Sequence, residues 1–122
     1  MSTTESTNTA PGVISMRAAA SWFVDQPTLL RHESLKIWST DLTDYLERLI
    51  PAVRELAGIG PADDAVAMVA MGGVGEAERR LYEPGAAGLR GETERVRRLA
   101  RSVIALCDHH ESLIGSSSGH DS

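Results

Sequence analysis

The chain has 122 residues, a formal net charge of −5 and a single cysteine. This length corresponds to one domain, and the acidic balance argues against a dedicated binder of nucleic acid or anionic membrane, because such proteins carry a basic footprint. One cysteine cannot form an intrachain disulfide, no apolar run approaches the ~20 residues that span a bilayer, and the first residues lack a secretory signal. We therefore expect a cytoplasmic protein that does not enter the membrane.

Both ends of the chain are rich in Ser, Thr and Gly and poor in apolar residues. Residues 1–12 and 115–122 cannot bury enough surface to offset the entropy lost on ordering them, so we predict two disordered tails. Between them, residues 13–114 show strong helical periodicity and almost no strand signal. The sequence predicts an all-α domain, an antiparallel bundle of about four helices.

A first helix is predicted from Ser15, a good N-cap, to Gln26, because Pro27 cannot continue it. Its expected apolar face consists of Met16, Ala19, Ala20, Phe23 and Val24.

The second helix carries the clearest apolar stripe. Ser34 is its expected N-cap, and Gly58 with Gly60 and Pro61 is its expected terminator. Apolar residues recur at alternating steps of three and four, the spacing of packed bundles: Leu35, Trp38, Leu42, Tyr45, Leu49, Ala52 and Leu56. Because the stripe continues beyond Pro51, we predict a kink near Glu47 instead of a break.

A third helical region is predicted from Ala62, with a face of mostly small residues: Val66, Ala70, Gly73, Ala77 and Leu81. Gly72, Gly73 and Gly75 are poor helix formers, so either two helices nearly touch here or the helix breaks and restarts at Glu76. We assign these three glycines, with His110 of the last helix, to an interhelical pocket or hinge.

The last helix is predicted to begin near Gly91 and to reach about Ile114. Its stripe is Val96, Leu99, Val103, Leu106, His110 and Leu113, widened by Ile104, Cys107 and Ile114.

No motif predicts a catalytic residue, a cofactor or a metal. Cys107 and His110 share a helix face, but structural zinc needs four ligands and no second pair exists; a buried core thiol is the preferred interpretation. The run Gly72-Gly73-Val74-Gly75 lacks the Lys-Ser/Thr ending of a phosphate loop, and no strand precedes it.

Two features suggest a surface. Trp22 and Phe23 are adjacent, and adjacent helical residues point about 100° apart, so one of them is expected at the edge of the bundle. Arg97 and Arg101 share a face within the basic segment Arg95–Arg101, although nearby glutamates favour a salt-bridged solvent face. We take Trp22, Phe23, Arg97 and Arg101 as the candidate interaction residues.

Several stretches together carry a family resemblance. They are Met16 to Phe23, Tyr45 to Pro51, Glu78 to Leu81 and Arg97 to His109. The chain resembles small streptomycete proteins of a domain-of-unknown-function family commonly labelled "natural product biosynthesis protein". The resemblance implies an actinobacterial, cytoplasmic setting near specialised metabolism, and it implies no catalytic residues.

Three functions remain open, in this order. The first is a non-catalytic helical accessory protein that acts through protein–protein contact with a partner or as a homodimer. The second is a DNA-binding or regulatory protein using the Arg95–Arg101 helix. The third is a small enzyme or ligand carrier with an interhelical pocket.

Overall fold

The structure, a computed structural model, describes residues 12–26, 30–61, 63–85 and 87–119. Within these ranges four α-helices follow one another: α1 (Val13–Val24), α2 (His32–Ala57), α3 (Ala65–Leu81) and α4 (Gly88–Gly119). The described residues contain no strand, which confirms the all-α prediction. Residues 1–11 and 120–122 of the predicted tails lie outside the described residues, as do Pro27 and Ala62.

The bundle is organised around α4. This helix contacts each of the other three, α2 also contacts α3, and α1 touches α2 only marginally. Arg17, early in α1, pairs with Asp108, late in α4, whereas Arg97 donates to the carbonyl oxygen of Gln26 just after α1. These contacts place α1 antiparallel to α4. Since three helices pack against α4, a wide part of its surface is buried, and this part includes two polar residues, Thr93 and Ser102.

The buried face of α2 differs from the predicted stripe. Leu35, Leu42 and Leu49 are buried as expected. Trp38, Tyr45, Ala52 and Leu56 are only half-buried, and the core instead takes residues one position further along: Leu46, Ile50, Val53 and Ala57. The predicted stripe was therefore right at Leu35, Leu42 and Leu49 and wrong at its other positions, from Trp38 onward.

The ends of the first two helices also differ from expectation. Helix α1 begins at Val13 and ends at Val24, two residues earlier at each end than predicted, and Met16, Ala20 and Phe23 form its buried face. Helix α2 begins at His32 without a side-chain cap, so Ser34 lies inside it. It continues through Pro51 to Ala57, as the unbroken stripe predicted; Pro51 is exposed.

Helix α3 runs without interruption from Ala65 to Leu81, so the glycines neither break it nor form a hinge. Its N-cap is Asp64, whose carboxylate accepts a hydrogen bond of 3.2 Å from the Ala67 amide. The predicted start at Ala62 and the alternative restart at Glu76 were both wrong.

Helix α4 begins at Gly88, whose φ of +79° is in the left-handed region that favours glycine. It extends to Gly119, five residues beyond the predicted end at Ile114. The predicted core stripe of α4 is confirmed at Val96, Leu99, Val103, Leu106 and Leu113, and Cys107 is also buried. His110 and Ile104 are half-buried, and Ile114 is exposed.

Candidate interaction surface

The predicted aromatic pair divides between core and surface. Phe23 is 2% exposed and belongs to the core, so its assignment to an interaction surface is corrected. Trp22 is 51% exposed and stacks on Trp38, with ring centroids 5.5 Å apart and planes 14° apart. Trp38 also contacts the Phe23 ring at 5.1 Å, so these three rings join α1 to α2. As expected for adjacent helical residues, only one of the pair reaches the edge of the bundle.

The arginines of α4 are mostly engaged within the chain. Arg95 pairs with Glu92 and donates to the Ser39 hydroxyl, and Arg97 pairs with Glu94. Arg98 pairs with Glu83, the residue that follows α3 by two positions, and this guanidinium lowers the pKa of the Glu83 carboxyl. Arg101 alone of the four is exposed. The segment is therefore a salt-bridged face, which pins α4 to α2 and to the end of α3.

A groove of about 420 Å³ lies where the first turns of α2 and α4 meet. Its lining includes Lys36, Ser39 and the Glu92–Arg95 pair. Arg95 binds Glu92 through Nε and Nη2 and donates to the Ser39 hydroxyl through Nη2, so the charge of Glu92 neutralises its own.

Cys107 is buried, and its thiol lies 3.6 Å from the carbonyl oxygen of Val13. Burial, together with the charge of the adjacent Asp108, raises the pKa of Cys107 from 9.0 to about 11. The thiolate is the nucleophilic form, so this environment suits core packing and opposes nucleophilic chemistry. Within the described residues, no group of three or more His, Cys, Asp or Glu side chains is arranged to hold a metal ion.

We predict that Cys107 reacts very slowly with thiol reagents in the folded protein at pH 8. A pKa raised from 9.0 to about 11 lowers the thiolate fraction roughly a hundredfold at this pH, and burial adds a steric barrier. Spectrophotometric thiol titration of native and denatured protein measures the ratio of the two rates. Native and denatured rates within threefold of each other would contradict a core thiol.

The histidine that packs against Gly73 of α3 is His109. A Cβ atom on Gly73 would lie 2.6 Å from His109 Cδ2 and 2.7 Å from Nε2, so only glycine accepts the imidazole at this place. His109 also lines a shallow groove of about 260 Å³ with Ala65, Val66, Val69 and Ser112. The expected close approach of α3 and α4 is therefore real at Gly73, where His109 makes the contact, and His110 is half-buried on the same helix.

The outer side of α3 is the most unusual surface of the molecule. Between the cap Asp64 and Glu76, no residue of α3 is charged or polar. Four of these residues face the core: Ala67, Ala70, Val74 and, towards His109, Gly73. The rest leave apolar surface in water, with Met68 61%, Val69 63% and Met71 39% exposed. A helix that is apolar on all sides is normally covered on all sides.

Gly72 and Gly75 belong to this outer side and are not explained by the fold of one chain. A Cβ atom on either would meet nothing within 4 Å, and neither has a positive φ. Each glycine costs about 1 kcal/mol of helix stability relative to alanine. We name the surface formed by Met68, Met71, Gly72 and Gly75 the outer face of α3.

Charged residues bound the outer face at its two ends. Asp63 and Asp64 lie at the N-terminal end. At the other end Glu76 binds both Arg79 and Arg80, and the two arginines hold the pKa of the Glu76 carboxyl below its usual value. The N-terminal end is thus acidic. The ion pairs at the C-terminal end join three glutamates, Glu76, Glu78 and Glu83, to four arginines, Arg54, Arg79, Arg80 and Arg98, so that end has one arginine more than glutamate.

The sequence interpretation missed this face, although the signal was present. Eleven consecutive residues without a polar side chain cannot all be buried in a helix that, among the described residues, has two neighbouring helices. The small residues drew attention to the buried side of α3, where they do allow close packing at Gly73, and the unpaired side was overlooked.

None of the helices, within the described residues, is both long enough and apolar enough to cross a membrane. No curated protein and no solved structure gives a significant match to the chain. A family model described as a family of unknown function, DUF6415, matches residues 15–115. Since this match takes in all of α2 and α3 and most of α1 and α4, the chain belongs to the DUF6415 family.

Proposed function

We propose that this protein is a non-catalytic interaction protein that binds another polypeptide through the outer face of α3. The observation that carries the proposal is the exposure of Met68 and Met71 on a stretch of helix that lacks any polar side chain. A protein partner would remove this apolar surface from water. Complete burial of a Met or Val side chain contributes roughly 1.5–3 kcal/mol, so a few such residues can supply the centre of an interface.

The chemistry of the face favours protein over other ligands. Flexible methionine side chains adapt to a partner's shape, and the glycines beside them allow another backbone to come close. The arginines of α4, which would serve a nucleic-acid binder, are mostly paired with glutamates of the same chain.

A capture experiment with matched variants tests the proposal. Tagged protein is incubated with a lysate of the source cells, and the bound proteins are quantified for wild type, Met68→Glu and Ile14→Glu. Ile14 is 86% exposed and lies on α1, away from α3, so Ile14→Glu adds the same charge outside the outer face.

We expect Met68→Glu to lose at least one specifically bound protein, this chain included, that both wild type and Ile14→Glu retain. A buried carboxylate without a partner is costly, whereas Met68 in the free protein is exposed and its replacement leaves the fold intact. Identical capture by all three proteins would contradict an interaction through this face.

We further propose a cytoplasmic role close to actinobacterial specialised metabolism. The support is the family resemblance of the stretches around Trp22, Tyr45 and Arg97. Inspection of the genes beside this one tests it: natural-product biosynthetic genes in most family members' neighbourhoods are the expected finding, and their general absence would contradict it.

A further inference from the structure

We propose that the occupant of the outer face of α3 is a second copy of this chain, packed so that the two α3 helices run antiparallel and cross near Gly72. This inference rests on the proposed function and specifies its partner. It follows from the distribution of charge and of side-chain size along one helix.

Charge selects the antiparallel arrangement. The acidic residues Asp63 and Asp64 lie before α3, and Arg79 and Arg80 lie in its last turn. When two copies of α3 run antiparallel about a point near Gly72, each acidic end lies opposite the arginines of the other copy. A parallel arrangement would instead place acidic residues against acidic residues and arginines against arginines. A twofold axis makes the favourable contact twice.

Side-chain size agrees with the same register. With the twofold axis near Gly72, Met68 of each copy lies opposite Gly75 of the other, and Met71 lies opposite Gly72. Each exposed methionine then meets a glycine beside which the isolated chain leaves open space. The centre of the face carries no charge, so bringing two copies together there creates no like-charge contact.

One helix pair of this length forms a small interface. Seventeen residues of helix extend about 25 Å, and such an interface falls at the lower end of the specific class, so we expect a dissociation constant in the micromolar range. Sedimentation velocity of the full chain from about 1 µM to about 1 mM covers the corresponding transition.

Gly75→Gln separates association from folding. Glutamine is a good helix former and meets nothing within 4 Å at this position, so we expect the monomer's melting temperature to rise. The same side chain fills the place of the second copy's Met68 and should weaken dimerisation at least tenfold. Gly115→Gln, at an exposed glycine of α4 that also meets nothing within 4 Å, is the matched control and should leave the dissociation constant unchanged.

A charge exchange tests the direction of the helices. Asp63→Arg and Arg79→Glu should each weaken dimerisation, by roughly three- to tenfold for an exposed contact made twice, and the double variant should recover to near the wild-type value. Asp63 and Arg79 are both exposed, so neither substitution disturbs the core.

Three results would overturn the second-copy inference: a wild-type chain that stays monomeric to about 1 mM, a dimer insensitive to Gly75→Gln, or a double charge variant that remains as weak as the single ones. The proposed function fails separately, through capture that ignores Met68→Glu. A monomeric chain that captures a different protein in a Met68-dependent manner would therefore retain the proposed function and overturn the second copy.

Discussion

Leu46→Ala is expected to lower the free energy of unfolding by about 3 kcal/mol, the range for a leucine removed from a close-packed core. Leu46 is completely buried, on the side of α2 that contacts α3 and α4. Leu56→Ala removes the same atoms from the same helix at a half-buried position, and we expect a loss of about 1 kcal/mol.

Chemical denaturation of the two variants measures this difference. We expect the unfolding free energy of both to depend on denaturant with the wild-type slope, so a change in midpoint is a change in stability. The comparison also decides which face of α2 is buried. The heptad-like stripe contains Leu56 and omits Leu46, so it predicts the opposite order of the two losses. An equal or larger loss for Leu56→Ala would contradict the packing described above.

Gly73→Ala is expected to destabilise the protein by about 1 kcal/mol, although alanine normally improves a helix by about that amount. The added Cβ atom would lie 2.6 Å from His109 Cδ2, so the imidazole must leave its place between α3 and α4. Such overpacking costs roughly 1–3 kcal/mol, which outweighs the gain in helix propensity.

The effect of Gly73→Ala on stability should change sign when His109 is removed. In a His109→Ala background the nearest remaining atom is Leu106 Cδ2 at 3.7 Å, an ordinary contact, so Gly73→Ala should stabilise the protein by about 1 kcal/mol. Gly72→Ala, with nothing within 4 Å, is the control and should stabilise in both backgrounds. A double-mutant cycle from thermal or urea unfolding gives the coupling energy between Gly73 and His109. A coupling energy near zero would show that His109 does not rest on Gly73.

The sequence predicted the number and order of the helices well, because helical periodicity and the Gly and Pro positions between them are local signals. It misplaced the buried face of α2 because two apolar series share Leu35, Leu42 and Leu49. On a helix that turns about 100° per residue, Leu46, Val53 and Ala57 lie within about 40° of Leu35. Trp38, Tyr45 and Ala52 lie about 60–100° from Leu35 on the other side, at the edge of the buried face, which is why they are only half-buried.

The candidate site was less predictable because it depends on tertiary placement. Three helices cover α4, so its buried arc is wide and its stripe does not tell which edge meets α3. His110 lies on the predicted stripe, yet His109, at the edge of that arc, is the residue that packs against Gly73. Likewise, the pattern of Arg95–Arg101 shows opposite charges nearby but cannot show that Arg98 pairs with Glu83 from another element.

The outer face of α3 gives the glycines two separate roles. Gly73 faces inward and makes room for His109, while Gly72 and Gly75 face outward with Met68 and Met71. A helix that served only the core would gain stability from alanine at both outward positions. The two outward glycines lower the stability of the helix, and they lie beside exposed methionines. A contact surface for another backbone explains why glycine is found there.

Methyl NMR of the methionines tests the central claim most directly. Met68 and Met71 report on the outer face, and Met16, which is 4% exposed on α1, is an internal control in the core. Spectra of protein labelled at the methionine methyls are recorded over a concentration series in buffer and again in a concentrated lysate of the source cells. We predict that the Met68 and Met71 signals shift or broaden in at least one series while Met16 stays constant. Unchanged Met68 and Met71 signals in both series would contradict an interaction through the outer face of α3.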